Sequence, residues 1–190
     1  LTNYEADDLI ATYAKKIIEA GAKVTVISSD KDLMQLVSDN IRLYDPMKSK
    51  VLGEKEVIEK FGVKPNQVID VQSLAGDSSD NIPGVPGIGV KTASELINKY
   101  KTLDMLLKKA KEIPQNKRRE TLLANKDKAL LSRKLVTLKD DVPVKDDLKF
   151  ANDCEEGLTK LKMCVSSKPW PFNGIAEKVI VTSSGKSTEE

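Results

Sequence analysis

Seven carboxylates in the first half of the chain fall into three tight clusters: Glu5-Ala6-Asp7-Asp8, Asp30-Lys31-Asp32 and Gly76-Asp77-Ser78-Ser79-Asp80. Acids a few ångströms apart cannot all stay ionised unaided, so a fold that crowds them needs cations to neutralise them. For all-oxygen sites, hard divalent cations such as Mg²⁺ are the usual partners. The third cluster runs directly into Asn81-Ile82-Pro83-Gly84-Val85-Pro86-Gly87-Ile88-Gly89-Val90-Lys91-Thr92. Glycines let this backbone turn tightly and present N–H groups at a helix N-terminus to a phosphate, and Lys91 can add a charge-assisted contact. Acids for metal beside a grip for phosphate point to phosphodiester chemistry.

Each cluster also has a plainer reading. Acids in the first turn of a helix, such as Glu5, Asp7 and Asp8, ordinarily serve as caps and dipole partners. Glu5 and Asp8 share a helical face, while Asp7 in a regular helix points elsewhere. If Glu5 lies just before the first turn, it can converge with Asp7 on one cation. Asp30 and Asp32 follow a strand and suit a strand-to-helix turn with Asp as N-cap, but a strand end is also rigid enough to bridge metals. Asp77 to Asn81 suits a loop of Asx turns. Three clusters together favour the metal reading, because a two-metal site draws carboxylates from separate elements, with its cations about 4 Å apart. The Pro86–Ala93 segment lacks Walker A spacing and follows no strand, so nucleotide binding is not expected. A helix–hairpin–helix grip on the DNA backbone fits better, and such contacts position a duplex without reading its bases.

The elements that must position these residues follow from periodicity. Leu9, Ile10, Tyr13, Ala14, Ile17 and Ile18 recur at helical spacing over residues 5–20, stopped by Gly21. Val24-Thr25-Val26-Ile27 is a β-branched run, expected as a buried parallel strand ending at Ser28, Ser29 and Asp30. A short helix with Leu33, Met34 and Leu36, a strand at Ile41–Tyr44 and an edge at Lys50–Leu52 should follow. This alternation is the signature of an open α/β sheet, whose sites form beyond the carboxyl ends of the strands, where Asp30 and Asp32 would sit. Helices are expected at 54–61, 65–75, 89–100, 102–110, 115–124 and 126–136, with an architectural boundary near residue 76. From about residue 150 the pattern weakens, and Pro169, Pro171, Gly174 and the polar Ser183–Glu190 end read as linker.

Bulk properties bound the class. A chain of 190 residues can bury a sizeable core, as one domain or one with a small appendage. The net charge of +2 conceals an asymmetry. Residues 1–85 carry 10 Lys/Arg against 14 Asp/Glu, whereas residues 86–149 carry 16 against 9. An acidic half before a basic segment suits a metal site beside a polyanion-binding surface, although lysine-rich helices can also be simple solvated faces. The absence of histidine removes His-based acid–base catalysis, Ser–His triads and His-bound zinc. Cys154 and Cys164 are too few and wrongly spaced for a zinc site or a disulfide scaffold, so a reducing cytosol is expected. No run of about 18 apolar residues predicts a membrane span, and no signal peptide is visible.

Tyr4-Glu5-Ala6-Asp7-Asp8, Ser29-Asp30-Lys31-Asp32 and Gly76-Asp77-Ser78-Ser79-Asp80-Asn81-Ile82-Pro83-Gly84-Val85-Pro86-Gly87-Ile88-Gly89 resemble, in matching order, the 5′-nuclease family. That family includes the 5′→3′ exonuclease domain of bacterial DNA polymerase I, phage flap nucleases and eukaryotic flap endonucleases; the bacterial polymerase I version is the nearest. The resemblance covers roughly residues 2–150. It implies a partial PIN-like (resolvase-like) parallel sheet with helices, followed by an all-helical helix–hairpin–helix subdomain. On that basis residues 1–75 form the C-terminal part of an α/β nuclease core, 76–150 the DNA-binding subdomain, and 151–190 a linker or the start of a following region.

The implied activity is Mg²⁺- or Mn²⁺-dependent hydrolysis of DNA phosphodiesters at 5′ flaps, nicks and gaps in replication and repair, as part of a DNA polymerase I. The implied setting is a monomer in the bacterial cytoplasm, with DNA. Glu5, Asp7, Asp8, Asp30, Asp32, Asp77 and Asp80 would serve two metal sites, with Asp30 and Asp77 catalytic. Gly87, Gly89, Lys91 and Thr92 would grip the duplex, with a monovalent cation at the hairpin. In the family, an N-terminal stretch supplies a first strand, further metal-binding Asp residues and a helical arch, none of which precedes Leu1. The sheet is therefore expected to lack a central strand and to expose apolar edges, and the chain by itself to bind DNA in a salt-sensitive way with little catalysis. The alternative is a helix–hairpin–helix DNA-binding module without catalysis.

Overall fold

The computed structural model describes residues 4–144, together with the backbone of 161–163 and 178–182. It divides into two compact units, Leu1–Gly53 with Leu138–Glu190, and Glu54–Thr137.

In the first unit, helix α1 (Ala6–Glu19) buries Ile10, Ala11, Ala14 and Ile17 along one face, as the spacing predicts. Strand β1 (Lys23–Ile27) follows, with Val24 and Val26 fully buried. A 3₁₀ turn (Asp32–Leu36) then leads into β2 (Ile41–Asp45), which pairs with β1 in parallel. The edge strand β3 (Lys50–Leu52) returns antiparallel to β2. The fully buried Thr12 of α1 holds the segment after residue 137: its hydroxyl donates to the Lys139 carbonyl at 3.3 Å and accepts the Val142 N–H at 3.1 Å.

Two sequence expectations are corrected here. The sheet is mixed rather than parallel, because β1–β2 is the one parallel pair among the described strands. The segment expected to be linker also contributes two strands, β4 (Leu161–Met163) and β5 (Lys178–Thr182). Strand β5 pairs antiparallel with β1, Val24 opposite Val181, so the strand order is β3-β2-β1-β5-β4. Against the expectation of exposed apolar edges, β1 is hydrogen-bonded on both sides, to β2 and to β5. Lys178-Val-Ile-Val-Thr182 carries the β-branched signal that favours a strand.

The turn between β2 and β3 is organised by Asp45, which is 2% exposed. Its carboxylate accepts the Met47 N–H at 3.0 Å and the Lys48 N–H at 3.3 Å, and pairs with the Lys48 ammonium at 3.3 Å. Burial pushes the acid's pKa up, but the hydrogen bonds and charge from Lys48 and Met47 outweigh it and leave the group below its ordinary value of 3.8. A depressed folded-state pKa stabilises above the unfolded value and is lost as pH falls through the folded one. Asp45→Ala is expected to cost about 1–3 kcal/mol at pH 7, with the wild-type advantage shrinking below pH 3.8. Urea denaturation of both proteins at pH 7 and pH 3 measures this; a pH-independent difference would contradict it.

The second unit is all helical. Helices α2 (Glu54–Phe61) and α3 (Val68–Ala75) are followed, after a long loop, by α4 (Val90–Tyr100), α5 (Leu103–Lys108), α6 (Asn116–Ala124) and α7 (Lys126–Val136). Val57, Val68, Val71, Leu74, Ile97, Leu103, Leu106 and Leu122 are fully buried. Thr102 caps α5 by accepting the Met105 N–H at 3.2 Å, and Asp70 of α3 accepts the Leu103 N–H at 3.1 Å. The six helices expected from periodicity are present, two of them shortened by 3₁₀ turns at Pro65–Gln67 and Ala110–Glu112. The compact units divide at Gly53 and Glu54 rather than near residue 76. The reason is packing: α3 lies against α4 and α7, so the helices before the loop share a core with those after it.

Candidate functional site

Two of the three acidic clusters lie in the first unit. Glu5 is the residue before α1, in an extended conformation, and thus just outside the first turn. Asp8 serves the backbone with both oxygens: Oδ2 accepts the Glu5 N–H at 3.2 Å and Oδ1 accepts the Lys139 N–H at 2.8 Å. The plainer capping reading therefore describes what Asp8 does. Asp7 lies half-buried in the same first turn.

Asp30 and Asp32 stand just past the carboxyl end of β1, in a closed turn. The buried Ser28 hydroxyl accepts the Asp30 N–H at 3.0 Å, and Asp30 Oδ1 accepts the Asp32 N–H at 2.8 Å. Asp32 begins the 3₁₀ turn, and its carbonyl accepts Gln35 Nε2 at 2.9 Å, while Gln35 Oε1 accepts the Leu138 N–H at 3.2 Å. Ser28 and Gln35 thus fix the backbone beneath the two acids. Both escaped sequence reasoning, although a serine two residues before Asp30 is a local signal for such a turn.

The third cluster occupies the loop after α3 in the second unit. Gly76 ends the helix at φ +71°, and Asp77 then pairs with Ile82 through two backbone hydrogen bonds, of 3.0 and 2.8 Å. Asp77 Oδ1 accepts the Ser79 N–H at 2.9 Å, the Asx turn that the sequence suggested. Asp77 is half-buried and Asp80 exposed. Among the described residues, no Lys or Arg forms an ion pair with Asp30 or Asp80.

Beyond Gly84 the same loop becomes the start of α4. Val85 N–H donates to the Leu74 carbonyl at 2.7 Å, Ile88 is buried, and Gly87 takes φ +75°. Gly89 precedes the helix with no side chain to cap it, and the first intrahelical bond of the series is Ala93 N–H to the Gly89 carbonyl, 2.9 Å. The N–H groups of Val90, Lys91 and Thr92 are the helix's orphan donors. A side-chain carbon at Gly89 would meet nothing within 4 Å, and its φ of −90° suits any residue. Nothing inside the described chain requires glycine there, so the bare backbone leaves room for an outside group at a positive helix end. Lys91 is exposed beside it, and among the described residues no carboxylate pairs with it.

The structure thus places Asp77 and Asp80 in one loop with Gly87 and Gly89, and Asp30 with Asp32 in one turn. All the candidate ligand atoms are carboxylate oxygens, a donor set that fits Mg²⁺ or Mn²⁺ and not a soft metal. No helix among the described residues is long and apolar enough to cross a membrane.

Comparison with known proteins matches residues 1–62 to the 5′-3′ exonuclease N-terminal resolvase-like domain and residues 63–156 to the 5′-3′ exonuclease C-terminal SAM fold. The chain is 59% identical over 145 residues to a DNA polymerase I of Rhizobium leguminosarum, which covers 76% of this chain and 14% of that protein. It is 40% identical over 170 residues to a 5′-3′ exonuclease of Aquifex aeolicus, covering 86% of this chain and 57% of that protein. Among solved structures, a mutant T5 5′-exonuclease superimposes with a TM-score of 0.68 at 26% identity, over 73% of this chain and 57% of that one. A bacteriophage T5 flap endonuclease in a pseudo-enzyme-product complex with DNA and metal ions gives 0.68 at 25% identity, over 73% and 52%. The chain therefore spans between about a seventh and somewhat over half the length of these relatives.

Proposed function

The chain belongs to the 5′-3′ exonuclease family, and on that footing we propose that it serves a metal-dependent 5′ nuclease acting on DNA at 5′ flaps, nicks and gaps. The observation that carries this reading lies in one loop. Asp77 and Asp80, held by an Asx turn and a backbone bridge, lead without interruption into the uncapped N-terminus of α4. Chemistry on a phosphodiester needs acids that hold cations and a grip on the strand, and this segment offers both.

In this reading Asp30 and Asp77 are the acids on which cleavage depends most, with Glu5, Asp7, Asp32 and Asp80 as further metal ligands. Asp8 adds charge while holding the start of α1. Mg²⁺ or Mn²⁺, when bound, supplies an activated water for in-line attack and stabilises the leaving oxygen. The protein's part is to hold these carboxylates rigid and to place the strand. Gly87 and Gly89 let the DNA backbone approach, the Val90, Lys91 and Thr92 N–H groups donate to phosphate oxygens, and the Lys91 ammonium adds charge. A monovalent cation at the hairpin is compatible with this arrangement. The T5 flap endonuclease complex, which contains DNA and metal ions, supports the same partners here. The likeness to DNA polymerase I supports a place within a bacterial polymerase I that serves repair and replication, and the enzyme is proposed to act as a monomer in the cytoplasm.

The test is cleavage of a 5′-labelled flap duplex by the full-length protein with Mg²⁺, with Mn²⁺ and with EDTA. Cleavage with either metal and none with EDTA is expected. Binding that weakens with salt but gives no product under any condition would sink the nuclease reading and leave the helix–hairpin–helix binding module in its place.

A further inference from the structure

We propose that Ser132, near the end of α7, is a positioning residue for the acidic loop, acting on metal binding through the backbone of Gly84. The inference rests on the metal-dependent reading above. Ser132 is fully buried, and its Oγ accepts the Gly84 N–H at 2.9 Å across 48 positions of sequence. The other hydrogen bonds described for this loop hold it to itself and to α3: Asp77 to Ile82, Ser79 to Asp77, Gly76 to Gln72 and Val85 to Leu74. Ser132 brings in a third element.

The geometry explains why one hydroxyl can matter at the acids. Gly84 is packed directly on Gly76; a side-chain carbon on Gly84 would lie 2.5 Å from the Gly76 nitrogen, and one on Gly76 would lie 2.9 Å from the Gly84 nitrogen. Gly76 immediately precedes Asp77, and Asp80 sits inside the loop that the Asp77–Ile82 bridge closes. Removing the hydroxyl leaves the buried Gly84 N–H without its acceptor. A buried donor that loses its acceptor is costly, so the loop base must shift to find water or another acceptor. Because the two glycines touch, that shift reaches Asp77 and Asp80 together. Ser132 acts through the Gly84 backbone rather than on DNA or cation, and so sets where the acids stand.

The test compares full-length wild type, Ser132→Ala and Ser132→Cys by calorimetric Mn²⁺ titration, amide exchange at Gly84, and the Mg²⁺ dependence of flap cleavage. Ser132→Ala is expected to weaken Mn²⁺ binding about tenfold, the range seen when a group that orients a metal ligand is lost. The Mg²⁺ midpoint for cleavage should move with it, while the rate at saturating Mg²⁺ recovers most of the wild-type value, and the Gly84 amide should exchange faster. Ser132→Cys, which keeps a weak acceptor on a somewhat larger side chain, should fall between the two, and it carries the comparison if the alanine variant fails to fold. A lowered melting temperature with Mn²⁺ affinity unchanged would make Ser132 merely structural and overturn the proposal. A wild-type protein that neither binds Mn²⁺ nor cleaves would instead overturn the nuclease reading, and this inference with it.

Discussion

Asp30→Ala and Asp77→Ala are each expected to slow Mg²⁺-dependent flap cleavage by the full-length protein at least about a hundredfold. Losing a group that merely orients a metal ligand costs about 10–100-fold, and losing the ligand itself should cost no less. A hundredfold corresponds to about 2.7 kcal/mol of transition-state stabilisation. Both acids also do structural work, since Asp30 Oδ1 closes the turn to Asp32 and Asp77 Oδ1 closes the turn to Ser79. An alanine therefore removes a turn as well as a charge. Asp30→Asn and Asp77→Asn separate the two roles, because an amide oxygen still accepts the N–H but carries no charge for a cation. If the charge matters, the asparagine variants lose nearly as much activity as the alanines while melting close to wild type. Asp39→Ala, at an exposed acid outside the three clusters, is the control expected to cleave normally. Rates within threefold of wild type for both Asp30→Ala and Asp77→Ala would remove these acids from the chemistry.

The helical unit was almost fully legible because its signals are local. Val68, Val71 and Leu74 fall on one face by spacing alone, and Thr102 announces the start of α5. The strands β1, β2 and β3 were legible for the same reason. Pairing was not, because nothing local says which segment closes the β1 edge: Lys178–Thr182 lies 151 positions beyond Ile27 and joins it through backbone groups that every residue possesses. The boundary expected near residue 76 falls at the Gly/Pro loop, a break between helices that is no break in the core, because α3 packs on helices that follow the loop. The site shows the same division. The carboxylates and glycines are visible as residue types, and the turns that fix Asp30 and Asp77 are short-range. Ser132 carried no signal, since a serine in an amphipathic helix differs from a solvent-facing one only in what it meets after folding.

Gly84→Ala is expected to be the most damaging single methyl addition in the helical unit. Gly84 has φ +57°, a conformation that costs an alanine about 1–2 kcal/mol. The added carbon would also lie 2.5 Å from the Gly76 nitrogen and 2.7 Å from the Ala75 carbonyl carbon, both of them backbone atoms that cannot rotate away. Overpacking of this kind adds about 1–3 kcal/mol. Two neighbouring glycines isolate the terms. Gly87 has φ +75° but open space around it, so Gly87→Ala should pay for the conformation alone. Gly89 has neither a left-handed φ nor a neighbour within 4 Å, so Gly89→Ala should leave stability nearly unchanged while weakening duplex binding, because its methyl fills the approach to the α4 N-terminus. Urea denaturation of the three variants should therefore rank Gly84→Ala well below Gly87→Ala, with Gly89→Ala near wild type. A Gly84 variant no less stable than the Gly87 one would mean that the two strands of the loop base do not touch. The path from Ser132 to the acids would then have no physical link.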